Sequence, residues 1–243
     1  EEEIQANGPG EGAGPGGEDT GNAAWSCGDP LNYQGYDYET VLIGEQCWFA
    51  ENLRAQTFGN GDIIPSTGTS DEWLELSDWP GAPALWDVEV DGTASVLYNW
   101  HTVNDVRPVC PAGWRVPTDG DWQAMESLAG VPEEELAVVG MRGSSANAGG
   151  NLKSTSSLWT TPNEGATDLL GFQGEPFGRI TPEGLHNNPQ LQGYFWNGSA
   201  SGGGDYHARV LTFESTGVYR YTWDYIGGTQ GHRMGMAIRC MEN

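Results

Sequence analysis

Apolar and polar residues alternate in short runs in the C-terminal part of the chain, and glycine-rich segments separate these runs. Alternation of this kind is typical of strands with one buried and one solvated face. The pattern therefore predicts a C-terminal antiparallel sheet that closes the domain, with strands at Gly193–Ala200, His207–Phe213, Val218–Tyr225 and Met234–Cys240.

Shorter apolar patterns occur in the first half of the chain. Glu39–Ile43 predicts a strand, whereas Gln46–Arg54 is an apolar block that predicts either a short helix or an extended segment. Leu97–Val103 carries apolar residues at helix-like spacing.

The strongest helix signal follows Pro117, which cannot continue the hydrogen-bond ladder of a strand. Thr118 can accept from the amide three residues later, and Asp121 can reach back as the carboxylate of a capping box. A helix is therefore predicted from Thr118 to about Ala129. Other signals predict a capped helical turn at Ser70–Trp73, a short helix after Pro132 and a loop at Gly143–Gly150.

Residues 1–24 differ in composition from the rest of the chain, because they consist mostly of Glu, Gly, Pro and Asn. Glycine occupies every second position from 8 to 16, so an extended chain would carry glycine on one side and Pro, Glu or Ala on the other. Composition favours a disordered leader or linker. The alternative is an arm that docks on a neighbouring subunit. We predict this N-terminal arm and one domain over residues 25–243.

Acidic residues outnumber basic ones by 34 to 10, which gives a formal net charge of -24. This charge disfavours nucleic acid and anionic membranes as partners. Solubility in salty water explains the acidic surface better than cation binding does. Since no apolar run approaches the roughly 18 residues of a membrane span, no membrane insertion is expected.

The four cysteines, Cys27, Cys47, Cys110 and Cys240, are far apart and form no Cys-x-x-Cys pair. This spacing disfavours a zinc cluster and favours two disulfides in an exported protein. Three pairings are open from the residues alone. A chain that starts at Glu1 also fits removal of a signal peptide, although a trimmed chain would look the same.

The helix signal lies within a longer sequence block, Cys110-Pro-Ala-Gly-Trp-Arg-Val-Pro-Thr-Asp-Gly-Asp-Trp122. Further blocks lie before and after it: Tyr38-Glu-Thr-Val-Leu-Ile-Gly-Glu-Gln-Cys-Trp-Phe-Ala-Glu-Asn-Leu-Arg54, Leu97-Tyr-Asn-Trp100, Leu152-Lys-Ser-Thr155 with Trp159, Gly171-Phe172 and Gly235-Met-Ala-Ile-Arg-Cys240. In this order the blocks resemble the Fibrobacter succinogenes major paralogous (FISUMP) domain, and the match extends over about residues 27 to 243.

The resemblance implies a loop-rich α+β fold like that of C-type lectins and the formylglycine-generating enzyme, also known as a sulfatase-modifying factor. It places the domain in exported proteins of mostly undefined activity. It also implies the disulfide pairing: the block of Cys110 lies beside that of Cys240, which leaves Cys27 for Cys47.

Tyr219, Tyr221, Trp223 and Tyr225 fall at period two and share one face of a predicted strand. Packing within the domain or against a partner subunit is favoured over a sugar-stacking platform. Trp196, on a nearby predicted strand, fits either arrangement. The signatures of calcium-dependent lectins are missing, because Glu175-Pro176-Phe177 and Trp196-Asn197-Gly198 are only partial matches.

Asp87, Glu89 and Asp91 precede Gly92 with the spacing of the start of a calcium loop. The twelfth position, however, is Tyr98 and not the expected bidentate glutamate. A hairpin that turns at Asp91-Gly92 is the favoured interpretation. Calcium is retained as the alternative, with these three carboxylates as its ligands.

The sequence contains no motif that indicates catalysis. His101, His186, His207 and His232 are scattered, and neither His-Glu-x-x-His nor Gly-x-Ser-x-Gly occurs. The redox cysteine pair needed by the formylglycine-generating enzyme has no local counterpart. We therefore expect a non-enzymatic extracellular or cell-surface structural protein, a filament or surface-layer subunit that self-assembles through its arm. The alternative is a carbohydrate-binding adhesion module.

Overall fold

The computed structural model describes residues 25–77, 81–199, 206–223 and 231–243. The predicted arm, residues 1–24, lies outside this part of the chain. The described residues form an α+β structure rich in sheet, with three α-helices and five small sheets. None of these helices is long and apolar enough to cross a membrane. The loop-rich architecture with few short helices agrees with the expectation from sequence.

The helices are α1 (Ser70–Ser77), α2 (Trp100–Val103) and α3 (Asp119–Ala129), and short 3-10 helices lie at Glu133–Glu135, Ser144–Ala146 and Gly231–Arg233. The strands are β1 (Leu31–Tyr33), β2 (Tyr36–Tyr38), β3 (Thr40–Ile43), β4 (Gln46–Phe49), β5 (Ser66–Thr67), β6 (Leu85–Val90), β7 (Thr93–Tyr98), β8 (Trp114–Arg115), β9 (Gly140–Arg142), β10 (Arg179–Ile180), β11 (His186–Asn187), β12 (Gln192–Trp196), β13 (Tyr206–Thr212), β14 (Val218–Trp223) and β15 (Met241–Glu242).

The predicted C-terminal sheet is present, but its membership differs from the prediction. Its strand order is β12-β13-β14-β9, and all its neighbours are antiparallel. The edge strand β9 was not predicted. The predicted strand Met234–Cys240 is wrong, because successive residues of that segment bridge to different partners: Gly235 to Ile180, Met236 to Tyr98 and Ala237 to Phe195.

The end of the chain pairs instead with two earlier segments. Strand β15 lies between β4 and β8 in a sheet of order β3-β4-β15-β8, and Met241 pairs with both Trp48 and Arg115. The predicted strand at Glu39–Ile43 is confirmed as β3, and the apolar block after it begins with β4. This sheet joins the beginning, the middle and the end of the domain.

The segment Leu97–Val103 is helical only at its end. Tyr98 completes strand β7, and the side chain of Asn99 then caps α2 by accepting from the amide of Thr102. The helix-like spacing was misleading because β7 is buried on both sides at its end. Its successive residues Leu97 and Tyr98 are both 0% exposed, so the apolar pattern runs from the strand into the helix.

The other helix predictions are confirmed. Thr118 caps α3 and forms the reciprocal capping box with Asp121. Helix α1 begins at the predicted place, but its capping hydroxyl belongs to Thr69, which accepts from the amide of Glu72 at 3.3 Å. Ser70 instead donates its hydroxyl hydrogen to the carbonyl oxygen of Gly184 at 2.7 Å. The 3-10 helix at Glu133–Glu135 follows Pro132 as predicted.

Two disulfides join Cys27 to Cys47 and Cys110 to Cys240, with Cα–Cα distances of 5.8 and 5.9 Å. These are the pairs that the family resemblance implied. Cys47, Cys110 and Cys240 belong to one hydrophobic core cluster, which also contains Tyr194 and Trp196 of β12. A second cluster contains buried residues of α3 and the opposite side of the same sheet. The sheet β12-β13-β14-β9 therefore lies between the two clusters.

Candidate binding surface on the C-terminal sheet

A row of apolar side chains crosses one face of the sheet β12-β13-β14-β9. Tyr194 pairs with Val210, Val210 with Tyr219, and Tyr219 with Met141. Directly paired residues point to the same side of a sheet, and so do residues two apart on one strand, which adds Tyr221. We call the surface formed by these five residues the front face. It reaches solvent most at Met141, whose side chain is 40% exposed on the edge strand.

Tyr219 and Tyr221 form the aromatic part of the front face. Their ring centroids lie 5.3 Å apart with an angle of 34° between the planes, and both residues are half-buried. A groove of about 200 Å³ opens above them. Its lining residues are Gln192, Tyr194, Val210, Thr212, Tyr219 and Tyr221.

The structure separates Trp196 from this open surface. Trp196 lies two residues after Tyr194 on β12 and so points to the same side of the sheet, but it is 0% exposed. The ring of Trp100 lies 5.4 Å away between centroids, and the indole N–H of Trp196 donates to the carbonyl oxygen of Tyr98 at 2.7 Å. Trp196 is therefore a core residue and offers no face to a sugar. Of the remaining predicted aromatics, Trp223 ends β14, and Tyr225 lies outside the described residues.

Arg179 lies at one end of the front face, with its guanidinium carbon 5.0 Å from the ring centroid of Tyr194. The amide of Gly178 donates to the carbonyl oxygen of Gln192 at 2.8 Å and so holds this segment beside β12. Gly178 has φ of 67°, and a Cβ there would lie 2.3 Å from the carbonyl oxygen of Asn187. Glycine is therefore required for this approach.

Arg179 differs from most cations of the protein in its partners. Within the part of the chain that the structure describes, it forms no ion pair, and its buried Nε has no hydrogen-bond acceptor. A half-buried guanidinium without a carboxylate is unexpected in a chain with 34 acidic residues. Its fork of donors fits an incoming carboxylate.

The opposite side of the same sheet, which we call the back face, is filled by a buried ion network against α3. Glu126 of α3 accepts from Arg142 at 2.7 and 2.9 Å and from the Nε of Arg209 at 2.6 Å. All three side chains are completely buried. Buried charges are tolerated when they are paired and hydrogen-bonded, so this network fixes the position of α3 on the sheet.

Asp119, in the first turn of α3, extends this network toward the surface. Arg209 and Arg220 each reach one of its carboxylate oxygens at 2.9 Å. Burial alone would raise the pKa of Asp119, but the hydrogen bonds and charges of Arg220 and Arg209 outweigh it and hold this pKa well below its usual range. The negative charge of Asp119 is therefore part of the folded structure.

Two further buried cations are held by carbonyl groups. The ammonium of Lys153 donates to the carbonyl oxygens of Glu164, Thr212 and Ser215 at 2.7 to 2.9 Å, and burial lowers its pKa to about 8. Arg239 donates to the side chain of Asn52 and to backbone carbonyl oxygens. Both cations use their donors to fix loops around the core.

The three candidate calcium ligands lie on the hairpin of β6 and β7, and the predicted turn at Asp91-Gly92 is confirmed by positive φ angles of 48° and 76°. Asp87 and Glu89 are exposed on one side of β6, and Asp87 accepts from Gln56 and Ser66 at 3.0 and 3.1 Å. No cluster of three or more potential metal-ligating side chains is found among the described residues. Calcium binding by Asp87, Glu89 and Asp91 stays a prediction.

A second, polar cleft of about 160 Å³ contains carboxylates that sequence reasoning did not bring together. Glu51 and Glu175 both line it, and Arg54 lies 3.5 Å from Glu51. Burial raises the pKa of Glu175, whose carboxylate accepts from the hydroxyl of Ser156 at 2.9 Å. No sequence signal links Glu51 to Glu175, because these two residues lie far apart along the chain.

The structure also places His101 and His232 close together, with ring centroids 5.5 Å apart. Burial lowers the pKa of His101 and so favours its neutral form. His186 is elsewhere, where its Nε2 lies 2.8 Å from the carbonyl oxygen of Phe177. The scattered histidines of the sequence thus remain distributed between different parts of the fold, apart from this one pair.

A family model described as the Fibrobacter succinogenes major domain matches residues 41–242, which is more than half of the chain. No curated protein matches the chain, and no solved structure matches it.

Proposed function

The chain belongs to the Fibrobacter succinogenes major domain family, and from this premise we propose that it is a non-enzymatic extracellular structural protein. In this proposal it is a surface or filament subunit that self-assembles through its N-terminal arm. The observation that carries the proposal is the partly exposed apolar row of the front face. Apolar surface of this kind, bordered by polar residues, marks interaction sites in soluble proteins.

The rest of the described domain supports a role as a rigid scaffold. Two disulfides cross-link it, which is compatible with an oxidising extracellular location. We propose that its fold is of the C-type lectin and sulfatase-modifying-factor type, because one sheet joins distant parts of the chain and the Cys110–Cys240 disulfide closes the domain.

The charged side chains support a structural role over a catalytic one. Glu126 and Asp119 are saturated by arginines, and Lys153 and Arg239 are saturated by carbonyl groups and an amide. Side chains held in this way fix the fold.

Self-assembly is tested by comparing the full chain with a variant that lacks residues 1–24. Light scattering coupled to size-exclusion chromatography and negative-stain microscopy measure the assembly state. We expect the full chain to form oligomers or filaments and the truncated chain to be monomeric. Monomers of the full chain at all concentrations, with residues 1–24 sensitive to protease, would refute the proposal.

Carbohydrate binding is the second candidate function, and the pair of tilted rings of Tyr219 and Tyr221 favours it. Aromatic faces beside hydrogen-bonding side chains stack well on sugar rings. A glycan array with and without a chelator tests this candidate and the calcium prediction together. Binding that is lost in Tyr219→Ala would support the sugar function, and silence on every glycan would remove it.

A further inference from the structure

We infer that the N-terminal arm of one copy docks on the front face of a neighbouring copy, with Arg179 binding a carboxylate of the arm. This inference rests on the proposed self-assembly and identifies its receptor surface. The front face supplies an apolar groove, and Arg179 supplies a cation at the end of that groove.

The sequence of the arm matches a tyrosine-lined groove. Between Gly8 and Gly16 every second residue is glycine, and the alternating positions carry Pro9, Glu11, Ala13 and Pro15. In an extended conformation these four side chains lie on one side, and the glycine side allows close backbone contact. Proline-containing segments commonly dock in grooves lined by aromatic side chains.

The charge of the arm matches Arg179. Glu11 lies two residues from Pro9, about 7 Å along an extended chain, so a proline can contact the tyrosines while the carboxylate reaches the end of the groove. Arg179 stacks on Tyr194, one of the groove residues, and has no ion pair within the described residues. A carboxylate from the arm would accept its free donors in a charge-assisted hydrogen bond.

The length of the arm is sufficient for a contact between copies. Fully extended, residues 1–24 span at most about 80 Å. A compact domain of the size of residues 25–243 has a diameter of about 45 Å by the usual scaling of size with chain length. From Pro9 to Trp25 the extended chain spans at most about 55 Å, so the arm reaches the front face of a neighbouring copy that lies within this distance of Trp25.

Site-specific photo-cross-linking in the full chain tests the inference. Met141→p-benzoylphenylalanine places the reactive group on the exposed edge of the front face, and the same replacement at Val106, which is 98% exposed elsewhere, is the control. Isotope-labelled and unlabelled copies are mixed before illumination. We expect position 141 to link to residues 1–24 of another copy, and position 106 to give no such link.

Each outcome of this experiment decides one point. Assembly of the full chain without links from position 141 to the arm overturns the docking surface and leaves the proposed function standing. A full chain that does not assemble removes the proposed function as well. Links that join the arm only to its own copy overturn the contact between neighbours. Protection of position 141 by an added oligosaccharide, without arm links, identifies a sugar as the occupant and also overturns the inference.

The role of Arg179 is tested separately by comparing Arg179→Gln with Arg179→Lys. Loss of one charge-assisted hydrogen bond predicts an apparent dissociation constant of assembly about tenfold higher for Arg179→Gln. Arg179→Lys keeps the charge and is expected to recover part of this loss, an effect that a purely structural residue would not give. Equal assembly of the wild type and both variants would exclude Arg179 from the contact.

Discussion

The two faces of the C-terminal sheet are built from alternate residues of the same strands, yet they have opposite properties. On the back face, Arg209 and Arg142 are completely buried and bound by Glu126 of α3. On the front face, Tyr219 is half-buried and Met141 is 40% exposed. The back face is closed by a buried ion network, whereas the front face is apolar and reaches solvent at its β14 and β9 strands.

We propose that this difference separates the side of the sheet that maintains the fold from the side that binds a partner. The back face has no unused carboxylate, because every acid in its network is bound by arginine. Tyr194 and Val210 of the front face belong to the core cluster that contains Cys110 and Cys240, and Tyr219 packs against that cluster. We therefore expect substitutions on the back face to affect stability, and substitutions on the front face to affect assembly.

The largest expected effect is the loss of the Cys110–Cys240 disulfide, which lies in the core cluster shared with the front face. In the chain-entropy model, the loop of 130 residues closed by Cys110–Cys240 contributes about 5 kcal/mol to the free energy of unfolding. The double change Cys110→Ser and Cys240→Ser should lower stability by up to that amount in urea denaturation. The matched change at Cys27 and Cys47, whose loop is 20 residues long, should cost about 3 kcal/mol. Equal losses for both disulfides would contradict the entropy argument.

The second largest effect is expected on the back face. Glu126→Gln leaves Arg142 and Arg209 buried with no counter-charge from Glu126, although Arg209 keeps Asp119. Breaking a buried ion pair by removing one partner costs about 3–5 kcal/mol. Urea denaturation monitored by tryptophan fluorescence measures this loss. Glu133→Gln, an acidic residue outside the network, is the control and should change stability by no more than about 0.5 kcal/mol.

A smaller effect on the back face depends on pH. Arg220 and Arg209 hold the folded-state pKa of Asp119 below its unfolded value, so its contribution is complete above the usual aspartate pKa of about 4 and is lost as the pH falls further. Asp119→Asn should cost about 2 kcal/mol at pH 7. The difference from wild type should shrink as the pH falls from about 4 toward 2. A difference that stays constant with pH would show that the charge of Asp119 is not involved.

Local sequence signals predicted the parts of the fold that depend on local chemistry. The capping box of Thr118 and Asp121 and the turn at Asp91-Gly92 were predicted because each depends on residues only a few positions apart. Strand β9 was missed because it has three residues and forms only by pairing with β14. The segment Met234–Cys240 was misassigned because its apolar residues fill the core through separate long-range bridges.

The candidate surface could be predicted only in part for the same reason. Alternation placed Tyr219 and Tyr221 on one face, which the structure shows, but it could not indicate that Trp100 covers Trp196. Arg179 carried no signal in the sequence. The position of Arg179 depends on the close approach of Gly178 to Gln192. Only the three-dimensional structure reveals this approach, and only it shows that Arg179 forms no ion pair within the described residues.

Sedimentation velocity of the full-chain variant Met141→Ser, beside the wild type and the control Val106→Ser, tests the separation of the two faces most directly. Met141 is 40% exposed, so its replacement should lower the free energy of unfolding by only about 1 kcal/mol, which leaves the domain folded. We predict that Met141→Ser sediments mainly as a monomer, whereas the wild type and Val106→Ser assemble. Assembly of Met141→Ser at the wild-type concentration would contradict the assignment of the front face as the contact surface.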